Sequence, residues 1–382
     1  MRYLNLAGYL AIPLAFLVHL VWGKGKSWEP TATFTLAALG VIPLAHLMGT
    51  ATEHLSGRAG PTWGGLLNAT FGNAAELIIA IIAMTKGLND VVKASLTGSI
   101  LGNLLLVGGG AMVAGGIGRE RQTFSSAKAE SASGLLLVAV AALLFPAIFH
   151  HSFRMTDPHL FEHEHAVSVG TSIILLLVYG LALLFTLHTH AHILSPAPAQ
   201  TPEDPAGLGD EEHWSVKKSV TMLLLAAAGV SIVAELLVGS AEHMAASLGW
   251  NHVFVGVILL AIIGNAAEHS TALLLARRND MDTAMTITYQ SSLQIALFVT
   301  PFLVLLSTVF VALHVGHAQH LDLLFTPMEV VAVLLAVLIT AFLGLNGETN
   351  WFEGAILLAL YAVLAVAFYN IPHTGAAGAG VP

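Results

Sequence analysis

Eleven long apolar runs account for most of this chain: 4–22, 33–55, 62–85, 91–116, 131–149, 166–187, 218–244, 252–276, 282–310, 324–345 and 350–369. Roughly 20 apolar residues, each rising 1.5 Å, carry one helix across the hydrocarbon core of a bilayer. A backbone in that core has no water to bond to, so each run must close its hydrogen bonds within itself. The expected fold class is an all-α integral membrane protein with about 11 transmembrane helices. Composition agrees, since 56% of the 382 residues are hydrophobic and 10% are charged, where a soluble domain carries about 25% charged residues. The first run is too long for a signal peptide and lacks a small-residue cleavage site, so it reads as a retained span. There is no cysteine, which excludes disulfides and thiolate metal sites. A net charge of -9 argues against nucleic acid as a partner and against a polybasic lipid-binding patch.

Charge between the runs sets an orientation. With the N-terminus in the cytoplasm, that side holds nine basic residues: Arg2, Arg58, Arg119, Arg121, Lys128, Lys217, Lys218, Arg277 and Arg278. The other side holds five: Lys24, Lys26, Lys86, Lys93 and Arg154. One stretch differs from all the rest. Residues 195–213, SPAPAQTPEDPAGLGDEEH, carry four prolines, five acidic groups and no apolar period, and read as a polar linker. Five runs then fall on each side of it, with the first run left over. An odd number of spans forces the second half to enter from the opposite side. The expected architecture is therefore two inverted five-helix repeats plus an N-terminal extra helix. In residues, that is an extra helix over 1–30, a first repeat over 31–194, an acidic, proline-rich cytoplasmic linker over 195–216, a second repeat over 217–370 and a tail over 371–382.

Within those halves Gly72-Asn73-Ala74-Ala75-Glu76 returns as Gly264-Asn265-Ala266-Ala267-Glu268. Laid together without gaps, 64–107 and 256–299 share 14 of 44 residues. A carboxylate at the centre of a spanning helix costs roughly 2.5–3.5 kcal/mol on insertion scales. Two of them, each in the same place within its half, point to one site shared by two repeats. On a helix Asn73 and Glu76 share a face, as do Asn265 and Glu268. Each pair offers an anionic and a neutral oxygen, the hard ligands that calcium, magnesium or manganese take. Two glutamates match the charge of a divalent cation. The small residues beside them let backbones approach, so that carbonyls could complete a shell of six to eight oxygens. The competing reading makes the small residues a packing face and lets the glutamates share a proton; duplication weighs for the ion site.

The next run in each half adds Ser99 and Asn103, then Ser291, Ser292 and Gln294, with Ser99 aligned to Ser291. Such groups either line a pathway or form interhelical hydrogen bonds worth about 0.6 kcal/mol each, and both readings stand. Glu53 and Glu242 recur near the ends of the preceding runs. They read as solvated helix termini or as a mouth that gathers cations and relays protons. Histidines number 19. His150, His151, His159, His163 and His165 cluster in one outer loop, His314, His317 and His320 in another, and His188, His190 and His192 at the linker entry. Clusters of this kind can bind zinc, yet no ligand spacing marks a structural site, and surface buffering or pH sensing serves equally. His269 is the one histidine at membrane depth beside the motif.

These segments carry a specific resemblance. GLLNATFGNAAELI (Gly65–Ile78), GSILGNLLLVGG (Gly98–Gly109), GNAAEH (Gly264–His269) and QIALFVTPF (Gln294–Phe302) are similar to the paired alpha-repeats of the calcium/proton antiporters, the cation/proton exchanger branch of the calcium/cation antiporter superfamily. The resemblance spans most of the chain, including the acidic linker and its HTHAH entry. It implies eleven spans, Glu76 and Glu268 as central exchange carboxylates, and a pathway lined by Asn73, Asn265, Ser99, Asn103, Ser292 and Gln294. Two departures stand out: the acidic cluster Asp210-Glu211-Glu212 is short for the family, and Gln290 stands where the first half has Gly98.

The expected function is secondary active exchange of Ca²⁺, with other divalent cations as alternative cargo, for H⁺ by alternating access. Partners are then Ca²⁺, H⁺ and membrane lipids, with no cofactor and no enzymatic activity. The plasma (inner) membrane of a prokaryote is the expected location. A dehydrated Ca²⁺ is tolerable at the midplane only if both glutamates are ionised, whereas two bare carboxylates in an empty site repel each other. Protons must therefore replace calcium before the empty carrier rearranges. A sodium/calcium exchanger would typically carry Thr/Ser-Pro-Glu/Asp versions of the motif. A passive channel would need no protonatable pair. An intramembrane metalloenzyme would want a His-based open site such as HExxH, which does not occur.

Overall fold

The computed structural model describes residues 2–153, 159–190 and 214–372. The linker 195–213 and nearly all of the tail 371–382 lie outside the described residues. In chain order the helices are α1 (Leu6–Trp22), α2 (Glu29–Gly60), α3 (Trp63–Phe71), α4 (Ala74–Thr85), α5 (Asn89–Gly116), α6 (Ser126–Phe153) and α7 (Leu160–Thr189). They continue as α8 (Val216–Leu248), α9 (His252–Gly264), α10 (Ala266–Arg277), α11 (Met281–Ala312), α12 (Pro327–Gly344) and α13 (Trp351–Tyr369). Among the described residues eight helices are long and apolar enough to cross a membrane, and α3 with α4 and α9 with α10 form two bent pairs. The protein is thus a nearly all-helical integral membrane protein. α1 is a shorter apolar helix.

Local chemistry explains where the helices begin and end. Ser215 caps α8 by accepting from the Lys218 amide at 3.2 Å, and Gly249 ends it in the left-handed region at φ 67°. Thr326 and Glu329 form a reciprocal capping box at the start of α12. Asn350 caps α13 through the amides of Phe352 and Glu353. Between α2 and α3 the chain turns at Gly60, whose φ of 79° suits glycine alone.

Burial separates inner helices from outer ones. In α5, 83% of the most apolar stretch is buried, against 17% in α7. The exposed side of α7 is a stripe of Ile174, Leu177, Leu181 and Leu184 at helical spacing, a face suited to lipid rather than water. α2 packs along α8, with Gly229 set against the Leu44 side chain. At one end of the molecule a two-residue strand β1 (Gln122–Thr123) pairs antiparallel with β2 (Glu348–Thr349). There Lys128 also bonds Asp282 at 2.6 Å and Arg119 reaches the Arg277 carbonyl at 3.3 Å. At the other end of α5, Lys93 pairs with Asp322 at 3.0 Å and Lys86 with Glu235 at 2.6 Å.

Candidate ion-binding site

Both copies of GNAAE interrupt their helices. α3 and α4 meet at 40°, and α9 and α10 at 61°. Asn73 (φ −102°, ψ 31°) and Asn265 (φ −93°, ψ 8°) sit at the breaks as cap residues. Continuous helices over 62–85 and 252–276 were the sequence expectation, so the shared helical face of each Asn–Glu pair needs correcting. The asparagine lies at the break and the glutamate in the first turn of the helix that follows. The reason is local: glycine and asparagine are both poor in a helix interior, and adjacent they concentrate the cost at one point. The break also changes the electrostatics. Glu76 and Glu268 now occupy helix N-termini, where the dipole favours negative charge.

The two breaks are tied to each other's half of the chain. Asn73 donates its Nδ2 to Gln294 Oε1 on α11. Asn265 donates to Ser99 Oγ on α5 at 3.0 Å and to the Ala261 carbonyl at 2.9 Å. These bonds use the amide nitrogens and leave the oxygens. Oδ1 of Asn73 and Oδ1 of Asn265 are both buried without a hydrogen-bond partner, in residues only 2% and 1% exposed. An unmatched buried acceptor costs about 1–3 kcal/mol, and here the same acceptor is left open in both copies of a duplicated motif.

The carboxylates lie close by. A Cβ on Gly264 would stand 3.2 Å from Glu76 Cγ, so Glu76 rests against the break in the other half. Glu76 and Glu268 are Coulombic neighbours. Glu268 accepts a hydrogen bond from Ser291 Oγ on α11. Both glutamates are half-buried. The arrangement gathers two carboxylates and two open amide oxygens. Among the described residues no three His, Cys, Asp or Glu side chains come together as a metal cage.

Other residues singled out from the sequence fall in different places. Gln294 is buried in the asparagine network just described. Asn103 is 2% exposed with its Nδ2 unpartnered, inside a π-helical turn at Gly102–Val107. A second π-helical turn, Ile295–Val299, follows Gln294 in the other half, and such turns often mark functional sites. Ser292 is fully buried, and its hydroxyl donates to the Thr288 carbonyl of its own helix at 3.0 Å. Glu53 and Glu242 stay at exposed positions on α2 and α8. Of the two serines in the sequence, Ser291, which aligns with Ser99, meets Glu268, and Ser292, which the resemblance implies, does not. His269 Nε2 is buried and unpartnered one residue after Glu268. The Gly98–Gln290 difference also gains a cause. Any Cβ at Gly98 would overlap the Val257 backbone of α9, whereas Gln290 is exposed.

Residues 29–188 and 218–370 match the family described as Sodium/calcium exchanger protein. The class is therefore that of the cation-exchanger membrane transporters. The chain is 42% identical over 371 residues to a Ca(2+)/H(+) antiporter of Synechocystis sp., covering 94% of this chain and 95% of that one. It is 43% identical over 351 residues to the Ca(2+)/H(+) antiporter ChaA of Bacillus subtilis, covering 91% and 95%. The solved structure of native YfkE superposes with a TM-score of 0.78 at 37% identity, covering 96% of this chain and all of that one. The chain belongs to the calcium/proton antiporter branch of this exchanger family.

Proposed function

We propose that the protein exchanges Ca²⁺ for H⁺ across its membrane at the paired GNAAE breaks. The observation that carries this reading is the pair of open, buried Oδ1 atoms of Asn73 and Asn265 beside Glu76 and Glu268. Two carboxylates and two amide oxygens are hard ligands, and their formal charge of two cancels that of Ca²⁺. Carbonyls at the C-terminal ends of α3 and α9, together with water, would complete the shell. Without the cation, the same carboxylates repel in a water-poor site and take up protons before the carrier rearranges. That exclusion couples the two fluxes. No cofactor enters this scheme. Ser99, Ser291, Asn103 and Gln294 orient or line the site, and Glu53 and Glu242 serve as mouths.

The proposed architecture is eleven spans, with an extra N-terminal segment over 1–30 that contains α1, and inverted repeats over 31–194 and 217–370. What supports it is the matching order of a long helix, a bent pair and three further helices in each half. The linker 195–216 then lies in the cytoplasm and the protein in the plasma membrane of a prokaryote.

The test is ion flux in proteoliposomes under imposed gradients. A pH gradient should drive Ca²⁺ uphill, and apparent Ca²⁺ affinity should fall as pH drops on the binding side, because protons compete for the same oxygens. Calcium movement driven by sodium at equal pH would favour a sodium/calcium exchanger. Flux indifferent to both gradients would indicate a channel.

A further inference from the structure

Two histidine-rich loops that are far apart in sequence meet in the fold. His165, near the start of α7, packs against His320 in the connection between α11 and α12, with ring centroids 4.2 Å apart and planes inclined at 53°. Nδ1 of each ring is buried without a hydrogen-bond partner. Asn89, at the start of α5, donates Nδ2 to the His320 carbonyl at 3.1 Å, while its Oδ1 is likewise buried and unpartnered. Two imidazole nitrogens and one amide oxygen are thus left open around a single residue. Buried polar atoms are ordinarily paired, so three vacancies in one place call for a common partner.

The surroundings hold the segment in place. The amide of His317 bonds the Thr85 carbonyl at 2.8 Å, that of Leu321 bonds Ser307 Oγ at 2.9 Å, and that of Leu323 bonds Ser168 Oγ at 3.1 Å. The neighbouring carboxylate of Glu164 is taken by His150 Nδ1 at 2.5 Å. Asp322, two residues after His320, accepts from Lys93 Nζ at 3.0 Å and from the Leu324 amide at 2.9 Å, and neither carboxylate fills the vacancies.

We propose that His165 and His320 bind a transition-metal ion of the zinc class through their Nδ1 atoms, with Asn89 Oδ1 as a third ligand and solvent completing the shell. Imidazole suits zinc, copper and nickel, whereas calcium takes oxygen. The site therefore selects a different class of ion from the one bound at the GNAAE breaks. Ligand bonds of about 2.0–2.1 Å need the two rings to part by roughly 1 Å from their present packing, a movement that rotation of the two side chains can supply with the backbone held. A bound ion would pin the α11–α12 connection to the starts of α5 and α7. Asn89 lies ten residues before Ser99 on α5, so the pin would act on a helix that also reaches the exchange site.

The experiment is a zinc titration of the purified full-length protein against a chromophoric chelator. His165→Gln and His320→Gln should each weaken the tightest zinc site at least tenfold, and the double variant should lose no more than the singles. His151→Gln, at an exposed histidine outside the pair, should change nothing. Calcium/proton exchange in proteoliposomes checks that each variant folds. Independently of any variant, Cu²⁺ bound to the wild-type protein at one equivalent should give an electron paramagnetic resonance spectrum with coupling to two imidazole nitrogens. Identical zinc titrations for wild-type and pair variants would overturn the proposal. So would a copper spectrum that shows fewer than two nitrogens or persists unchanged in the double variant.

Discussion

At Asn73 and Asn265 one side chain performs two tasks at once. Its nitrogen bonds across to the other half, to Gln294 or Ser99, and this fixes which way its oxygen points. Neither aspartate nor alanine reproduces that, since aspartate lacks the donor and alanine lacks both atoms. The glutamates are the complementary case, because only they change charge. Glu76→Gln and Glu268→Gln each mimic the protonated state permanently, so each should reduce calcium/proton exchange to background while the protein still inserts. Normal flux in either purified variant would remove the proposed site. Ser291 offers a finer probe. Its hydroxyl bonds the Glu268 carboxylate, and a bond to a charged group is worth about 1.5–3 kcal/mol. Ser291→Ala should lower apparent calcium affinity by about tenfold or more, most at acidic pH, where protons compete hardest. Ser292→Ala should leave it nearly unchanged, since that hydroxyl is spent on Thr288. The duplication exposed the asparagines and glutamates in the sequence. It also paired Ser291 with Ser99, whereas the resemblance named Ser292; neighbours on a helix point about 100° apart, so only one of the two serines meets Glu268.

Among the helices, close backbone approach decides more than hydrophobicity does. Hydropathy located nearly every helix, but it read α3–α4 and α9–α10 as unbroken, because apolar runs carry no mark of a bend. The mark was present in the Gly-Asn pairs, whose helix-breaking cost is easily taken for small-residue packing. Gly98 is the second case. On sequence its exchange for Gln290 in the other half carried no meaning; in the fold, α5 touches the backbone of α9 at Gly98, and Gly256 of α9 leaves the same kind of room for Ala94. Gly98→Ala should therefore force the two helices apart at a cost of about 1–3 kcal/mol, read as a lowered midpoint of thermal unfolding together with slower exchange. Gln290→Ala, at the aligned but exposed position, should stay within about 0.5 kcal/mol of wild type. Equal effects of the two would mean that the α5–α9 approach is not tight.

For the whole molecule the decisive question is how the halves lie in the membrane. Both ends of the bundle are held by contacts between segments distant in sequence. β1 and β2 with the Lys128–Asp282 pair close one end, and Lys93–Asp322 with Lys86–Glu235 close the other. Arg119, Arg121, Lys128, Arg277 and Arg278 gather at the β1–β2 end. On the proposed orientation, the positive-inside rule would set that end in the cytoplasm, and the histidine-bearing segments around His159 and His320 would face outward. The proposed alternating access would follow from this polarity, since a site between oppositely inserted halves can open to either end in turn. The natural absence of cysteine makes the arrangement directly testable. Single cysteines at Ala199, in the linker, and at His159 and Gln319, near the opposite end, should react with a membrane-impermeant maleimide from opposite faces. In right-side-out vesicles the latter two should label and Ala199 should not; in inverted vesicles the pattern should reverse. Labelling of Ala199 and His159 from the same face would mean that no odd number of spans separates them, and the inverted arrangement, with the exchange cycle built on it, would have to be abandoned.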